Sequence, residues 1–187
     1  MADTLNDVKI DNVKQVDQLV RQNPAMGKCQ FKAKSEWMRG THTHVTVGEW
    51  SAGGQPMAAR TRRFVVAVDE PEILGGGDNA PNPVEMLMSA LCGCVTLGIA
   101  TNAELFSVPI DAIGIEMEAD IDVRGFLGHD KSVRNGVTDI RYTVTIKSPA
   151  PEEAVRKCKE TIDRKSPVRD TLANPVKITS SFAYKSR

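Results

Sequence analysis

The longest stretch of this chain without a charge runs from Glu85 to Glu104, and its apolar residues are spaced for a helix. Met86, Leu87, Ala90, Leu91, Cys94, Val95 and Leu97 recur at three- and four-residue steps, while Met88, Cys92 and Ile99 fill the opposite side. A helix apolar on nearly all sides must be covered on all sides. Ahead of it, Gly75-Gly-Gly77 and Asp78-Asn79 cannot hold regular structure. Asn82 suits the N-cap and Pro83 the first helical position, so the pattern predicts a helix starting at about Pro83.

Elsewhere the rhythm changes. Leu5, Val8, Val13, Val16, Leu19 and Val20 are spaced for one face of a polar N-terminal helix that stops near Asn23-Pro24 and lies on the outside of the core. Residues 28–36 and 37–50 read as extended, with Met38-Arg-Gly40 as the turn between them. Residues 60–70 are next, where Phe64-Val-Val-Ala-Val68 reads as a buried strand. Residues 113–123 set Ile113, Ile115, Met117, Ala119, Ile121 and Val123 against Glu116, Glu118, Asp120 and Asp122, the cleanest alternation in the chain. Residues 137–146 supply a partner strand through Ile140, Tyr142, Val144 and Ile146. Ala154, Val155, Cys158 and Ile162 mark a helix over 152–164. Ser166-Pro167 caps a further short helix that ends near Asn174-Pro175, and 176–184 reads as a final strand. Helices and strands are segregated, which predicts an α+β fold.

Composition narrows the class. The 187 residues suit one domain with an appendage, divided here as a helical extension over 1–27 and a single domain over 28–187. With 24 basic and 24 acidic residues the chain shows no electrostatic footprint for nucleic acid or an anionic membrane surface. A bilayer span is disfavoured for the central helix, which sits at the lower edge of the ~20 residues needed. It contains Ser89, Gly93, Thr96, Gly98, Thr101 and Asn102, and it lacks Lys/Arg and Trp/Tyr flanks. Protein must then cover it, and a chain with two Trp, two Tyr and five Phe can borrow that cover from a second copy, so a homodimer is expected. The N-terminus lacks the basic start and apolar run of a secretory signal, which predicts a cytoplasmic protein with thiols at Cys29, Cys92, Cys94 and Cys158.

Asn82-Pro-Val-Glu-Met-Leu-Met-Ser-Ala-Leu-Cys-Gly-Cys-Val-Thr96 resembles the first cysteine motif of the OsmC/Ohr family of organic hydroperoxide reductases, with Cys94 in the place of the reactive cysteine. Ser166-Pro-Val-Arg-Asp-Thr-Leu172 followed by Val176-Lys-Ile-Thr179 is similar to the family's second motif, where a Cys-Pro-Val run precedes the last strand. Arg39-Gly40 sits where the family places an arginine near its thiol. The likeness spans about residues 28–187 and leaves the N-terminal helix as an addition to an OsmC-like branch. It implies an intertwined dimer with buried central helices packed between antiparallel sheets and two sites at the subunit interface.

The implied chemistry is attack of a cysteine thiolate on a peroxide O–O bond, resolution by a second cysteine and reduction by an external dithiol. Burial in an apolar helix disfavours a thiolate, so a cation must lie close to it. The resemblance assigns Cys94 as the attacking group and Arg39 as the cation, with Glu85 orienting Arg39 across the dimer. The family acid after Asn-Pro is Val84 here, and Glu85 follows one position later. Glu85 and Cys94, nine residues apart, are about 180° around and ~13 Å along an ideal helix, so they cannot touch within it. The resolving position holds Ser166, whose simplest role is to cap the helix that follows.

No other cysteine replaces the missing one. Cys92 and Cys94 point about 200° apart on a helix, and Cys158 lies about 12 Å before the Ser166 position along a continuous helix. An external thiol or dithiol is therefore the expected reductant for a small-molecule hydroperoxide. No cofactor and no metal centre are expected, because Cys92-Gly-Cys94 spreads two of the four ligands that His42 and His44 would complete. A dimer of the same fold that binds an apolar small molecule, or senses redox state through Cys94, without catalysis is the alternative.

Overall fold

The computed structural model describes residues 5–57 and 62–186; residues 1–4, 58–61 and 187, among them the start of the stretch expected over 60–70, lie outside it. Helix α2, Pro83–Leu105, starts where predicted, and it starts with a reciprocal cap. Asn82 Oδ1 accepts the Glu85 N–H at 2.9 Å, and Glu85 Oε2 accepts the Asn82 N–H at 2.8 Å. Two of the backbone donors that a helix N-terminus leaves open are satisfied in this way.

Leu91, Val95, Ile99 and Ala103, each four residues on from the last, form the buried row of α2. They pack against Cys158 and Ile162 of α4, Glu152–Lys165, and against the apolar face of a hairpin of β5, Ala112–Asp120, and β6, Asp139–Lys147, whose connection holds the one-turn helix α3, Val123–Phe126. The register Ile113↔Ile146, Ile115↔Val144 and Met117↔Tyr142 puts the apolar alternates of both strands on that one face. Burial of a Leu, Ile or Val side chain in such a core is worth about 1.5–3 kcal/mol. A Cβ at Gly98 would stand 2.1 Å from Ile162 Cδ1, so the α2–α4 crossing requires glycine there. By length and composition α2 could cross a membrane, but this row packs on protein.

A second sheet precedes α2. In it β2, His42–Ala52, pairs with β1, Cys29–Arg39, on one edge and with β3, Gln55–Pro56, and β4, Phe64–Val68, on the other. Trp37 and Met38 belong to β1, not to the second extended stretch or the turn. The chain reverses at Gly40-Thr41, where Gly40 takes φ +55°, a conformation glycine adopts without strain.

Three further expectations are corrected by what covers each element. The Phe64–Val68 strand is present but not buried, with Phe64 53% exposed and Trp37 on the same sheet 75% exposed. Helix α1, Ile10–Gln22, lies on the outside and stops at Asn23 as expected, but its apolar face is left uncovered: it buries Ile10 alone and leaves Val16 58% exposed. Leu5 and Val8 precede it in a segment tied down by Glu104, whose carboxylate accepts the N–H groups of Leu5 and Asn6. Residues 175–186 form no hydrogen-bonded strand, and Ile178, Phe182 and Tyr184 are 87%, 89% and 78% exposed. Periodicity reports which side chains require cover; it does not say that this chain provides it.

Candidate thiol site

Cys94 projects from α2 toward the joint between α4 and α5, Pro167–Ala173. Ser166 occupies that joint as the last cap of one helix and the first of the next, and it is 1% exposed. Its Oγ accepts the Arg169 N–H at 3.1 Å and lies 3.1 Å from Cys94 Sγ. A hydroxyl that accepts through one lone pair still has its proton to give. With Cys94 ionised, that proton is the only one between the two atoms, so Ser166 donates to the sulfur.

The other cysteines turn away. Cys92 Sγ faces Met117 Sδ at 3.9 Å on β5, the divergence expected of helical positions two apart. Cys158 is fully buried, gives its proton to the Ala154 carbonyl at 3.3 Å, and has its thiol pKa pushed up by that burial. Cys29 is exposed on β1, and all four cysteines are free thiols.

Arg39 and Glu85 are not brought to Cys94 within one chain. Arg39 ends β1 opposite His42, on the sheet that precedes α2, and the Glu85 carboxylate closes the cap at the helix start. Beside the thiol, Leu87 and Leu91 share a face of α2 with Cys94 at steps of four and three residues. These leucines line an open cleft of about 730 Å³ together with Arg134, Tyr142, Arg169 and Leu172. Tyr142 donates to Asp163 Oδ1 at 3.2 Å, and burial, reinforced by that carboxylate, raises the phenol's pKa. The cleft is apolar toward α2 and cationic at Arg134 and Arg169, a combination that spacing along the sequence does not reveal.

A second polar centre, also invisible to periodicity, holds the loop that feeds α2. Asp69 is 2% exposed and accepts the Thr41 hydroxyl at 2.6 Å, the Glu70 N–H at 2.9 Å, the Gly77 N–H at 3.3 Å, and both the backbone and side-chain N–H of Asn79 at 3.2 and 3.1 Å. The Thr41 hydroxyl and these amides hold its carboxyl well below the usual carboxylate range, against the effect of burial. With the folded value depressed, the stabilisation is complete above the unfolded pKa of ~3.9 and is lost as pH falls toward the folded value. The Asp69→Asn variant is therefore expected to be less stable than the unmodified protein at pH 7, with the gap closing below about pH 4. Urea titrations at pH 7 and pH 3 measure it, and a gap independent of pH would mean that the charge on Asp69 is not what stabilises the loop.

A half-buried thiol on a central helix, a serine-capped helix joint behind it and an α+β frame of two antiparallel sheets define the class. The chain belongs to the OsmC-like protein family, whose model matches residues 75–181, a span that includes both Cys94 and Ser166. In fold it is similar to an OsmC-like protein from Mycoplasma pneumoniae, at TM-score 0.55 and 15% identity over 79% of this chain and 89% of that one. It is also similar to a putative osmotic stress induced and detoxification response protein from Psychrobacter arcticus, at TM-score 0.55 and 14% identity over 74% and 85% of the two chains. An OsmC-like protein of unknown function from Vibrio cholerae aligns at TM-score 0.52 and 11% identity over 76% and 92%. Comparison with curated proteins gives no match.

Proposed function

We propose that this protein is a thiol-dependent peroxidase that reduces organic hydroperoxides through Cys94, as a soluble cytoplasmic homodimer supplied with an external thiol or dithiol. The observation that carries this reading is the 3.1 Å approach of Cys94 Sγ to Ser166 Oγ. The two positions that the resemblance assigns to the attacking and resolving groups meet in the fold, although 72 residues separate them.

The Cys94 thiolate attacks the distal oxygen of the hydroperoxide. The O–O bond breaks, the alkoxide takes a proton and leaves as alcohol, and Cys94 becomes a sulfenic acid. Ser166 donates to the sulfur throughout, and its oxygen cannot displace the sulfenic hydroxyl as a thiol would. An external thiol therefore attacks the sulfur, water leaves, and a second thiol releases Cys94 from the mixed disulfide. Arg39 acts across the dimer, the sheet of one copy closing on α2 of the other. Glu85 receives it there through Oε1, since Oε2 is engaged by the Asn82 N–H.

The cleft lined by Leu87, Leu91 and Leu172 favours a second reading, a binder of small apolar molecules without turnover. One equivalent of cumene hydroperoxide separates the two. Catalysis requires one oxygen atom added at Cys94 within the mixing time of intact-mass analysis, with peroxide consumption in excess thiol falling to background in Cys94→Ser. Binding of the peroxide with Cys94 left unoxidised would leave only the binder.

A further inference from the structure

His42 and His44 occupy alternate positions of β2 and so share one face of the strand. Their Nε2 atoms lie 3.2 Å apart, and the rings meet edge-on at 74°. Behind His42 stands the Asp69 carboxylate, with Oδ2 3.8 Å from His42 Nδ1. That Nδ1 is buried and has no hydrogen-bond partner among the described residues.

These facts fix the tautomer of His42. A bare lone pair on Nδ1, buried and facing a carboxylate locked by five hydrogen bonds, would be both unsatisfied and repelled. The proton therefore sits on Nδ1, and Nε2 presents a lone pair to His44 Nε2. Either His44 supplies an N–H to it, or a cation lies between two lone pairs. A tetrahedral zinc ion about 2.0–2.1 Å from each of two nitrogens sets them about 3.3 Å apart, close to the separation observed. A carboxylate behind the distal nitrogen of a ligating imidazole is also the usual support of such a ligand.

We propose that His42 and His44 form a two-histidine chelate for a divalent transition-metal ion of the zinc, nickel and copper type, with Asp69 holding His42 in the ligating tautomer. Imidazole pairs suit these ions and not magnesium or calcium. Among the described residues no group of three histidine, cysteine or acidic side chains converges, so water completes the coordination shell. The thiols have no part in it, because Cys92 and Cys94 face Met117 and Ser166. The His42 side chain is 24% exposed, which leaves the pair open to an ion from solvent.

The test is calorimetric titration of NiCl2 into the untagged full-length protein, with the imidazole ¹⁵N spectrum recorded as ZnCl2 is added. One nickel ion per chain is expected. His42→Gln and His44→Gln should each weaken binding at least about tenfold with unchanged thermal stability, while substitution of the third histidine, His129→Gln in the loop that precedes β6, leaves it unchanged. Zinc should move the Nε2 signals of His42 and His44 and not those of His129. Absence of nickel binding, binding undiminished in the double variant, or an N–H···N pair that persists at saturating zinc would each overturn the proposal and leave a plain hydrogen bond between two neutral histidines.

Discussion

Treated with one equivalent of cumene hydroperoxide, the Ser166→Cys variant is expected to form a disulfide between Cys94 and the introduced thiol in the bulk of the chains, whereas the unmodified protein forms none. The two side-chain atoms already stand 3.1 Å apart, and an S–S bond of about 2.05 Å asks for an adjustment of roughly 1 Å at a helix joint. The substitution also removes the hydroxyl that caps α5, so the reduced variant should be less stable by about 1 kcal/mol before oxidation. In the unmodified protein excess peroxide should carry Cys94 on to sulfinic acid, and the variant should resist this. Peptide mapping decides it. Sulfinic acid in the variant at the unmodified level, or a disulfide from Cys94 to Cys92, Cys29 or Cys158 in the unmodified protein, would refute the geometry proposed for the reaction.

Leu97→Arg is expected to convert a dimer that persists at micromolar concentration into a monomer and to abolish peroxide turnover with it. Leu97 lies on the side of α2 away from the Leu91–Val95–Ile99–Ala103 row and is 70% exposed, next to an exposed Ala90 and a Gly93 with free space above it. A strip of small residues around one leucine suits a close approach by a second apolar surface, and a guanidinium buried there without a partner would cost several kcal/mol. Sedimentation velocity across a dilution series reads the change. An unmodified protein that sediments as a folded monomer would remove the shared site and the role given to Arg39.

Local signals carried most of the fold. Asn82-Pro83 announced the start of α2, and the one-in-two alternation of Ile113, Ile115 and Met117 announced β5, because capping and strand pleat are decided by neighbouring residues. The placement of Cys94 opposite Ser166 was legible only through the resemblance, since nothing in either stretch points to the other. Arg39 shows the limit: its position along the chain was readable, but what it faces depends on how two sheets, or two copies, come together. Asp69 was missed because its partners at 41, 70, 77 and 79 are drawn from a turn and a loop that carry no period. Trp37 and Met38 were misplaced for a related reason, as the turn is fixed by the positive φ of Gly40 and not by where the apolar pattern weakens.

The open segment at residues 175–186 makes this protein's solubility a property of one short stretch. Val176, Ile178, Phe182 and Tyr184 alternate along a stretch whose backbone donors and acceptors pair with nothing among the described residues, the form in which strands recruit one another into aggregates. Lys177 and Lys185 near its ends are the charges that restrain such growth. Its solubility is therefore set at this stretch, where a strand supplied by another copy would find unpaired backbone, and each charge added within it raises the concentration that the chain tolerates.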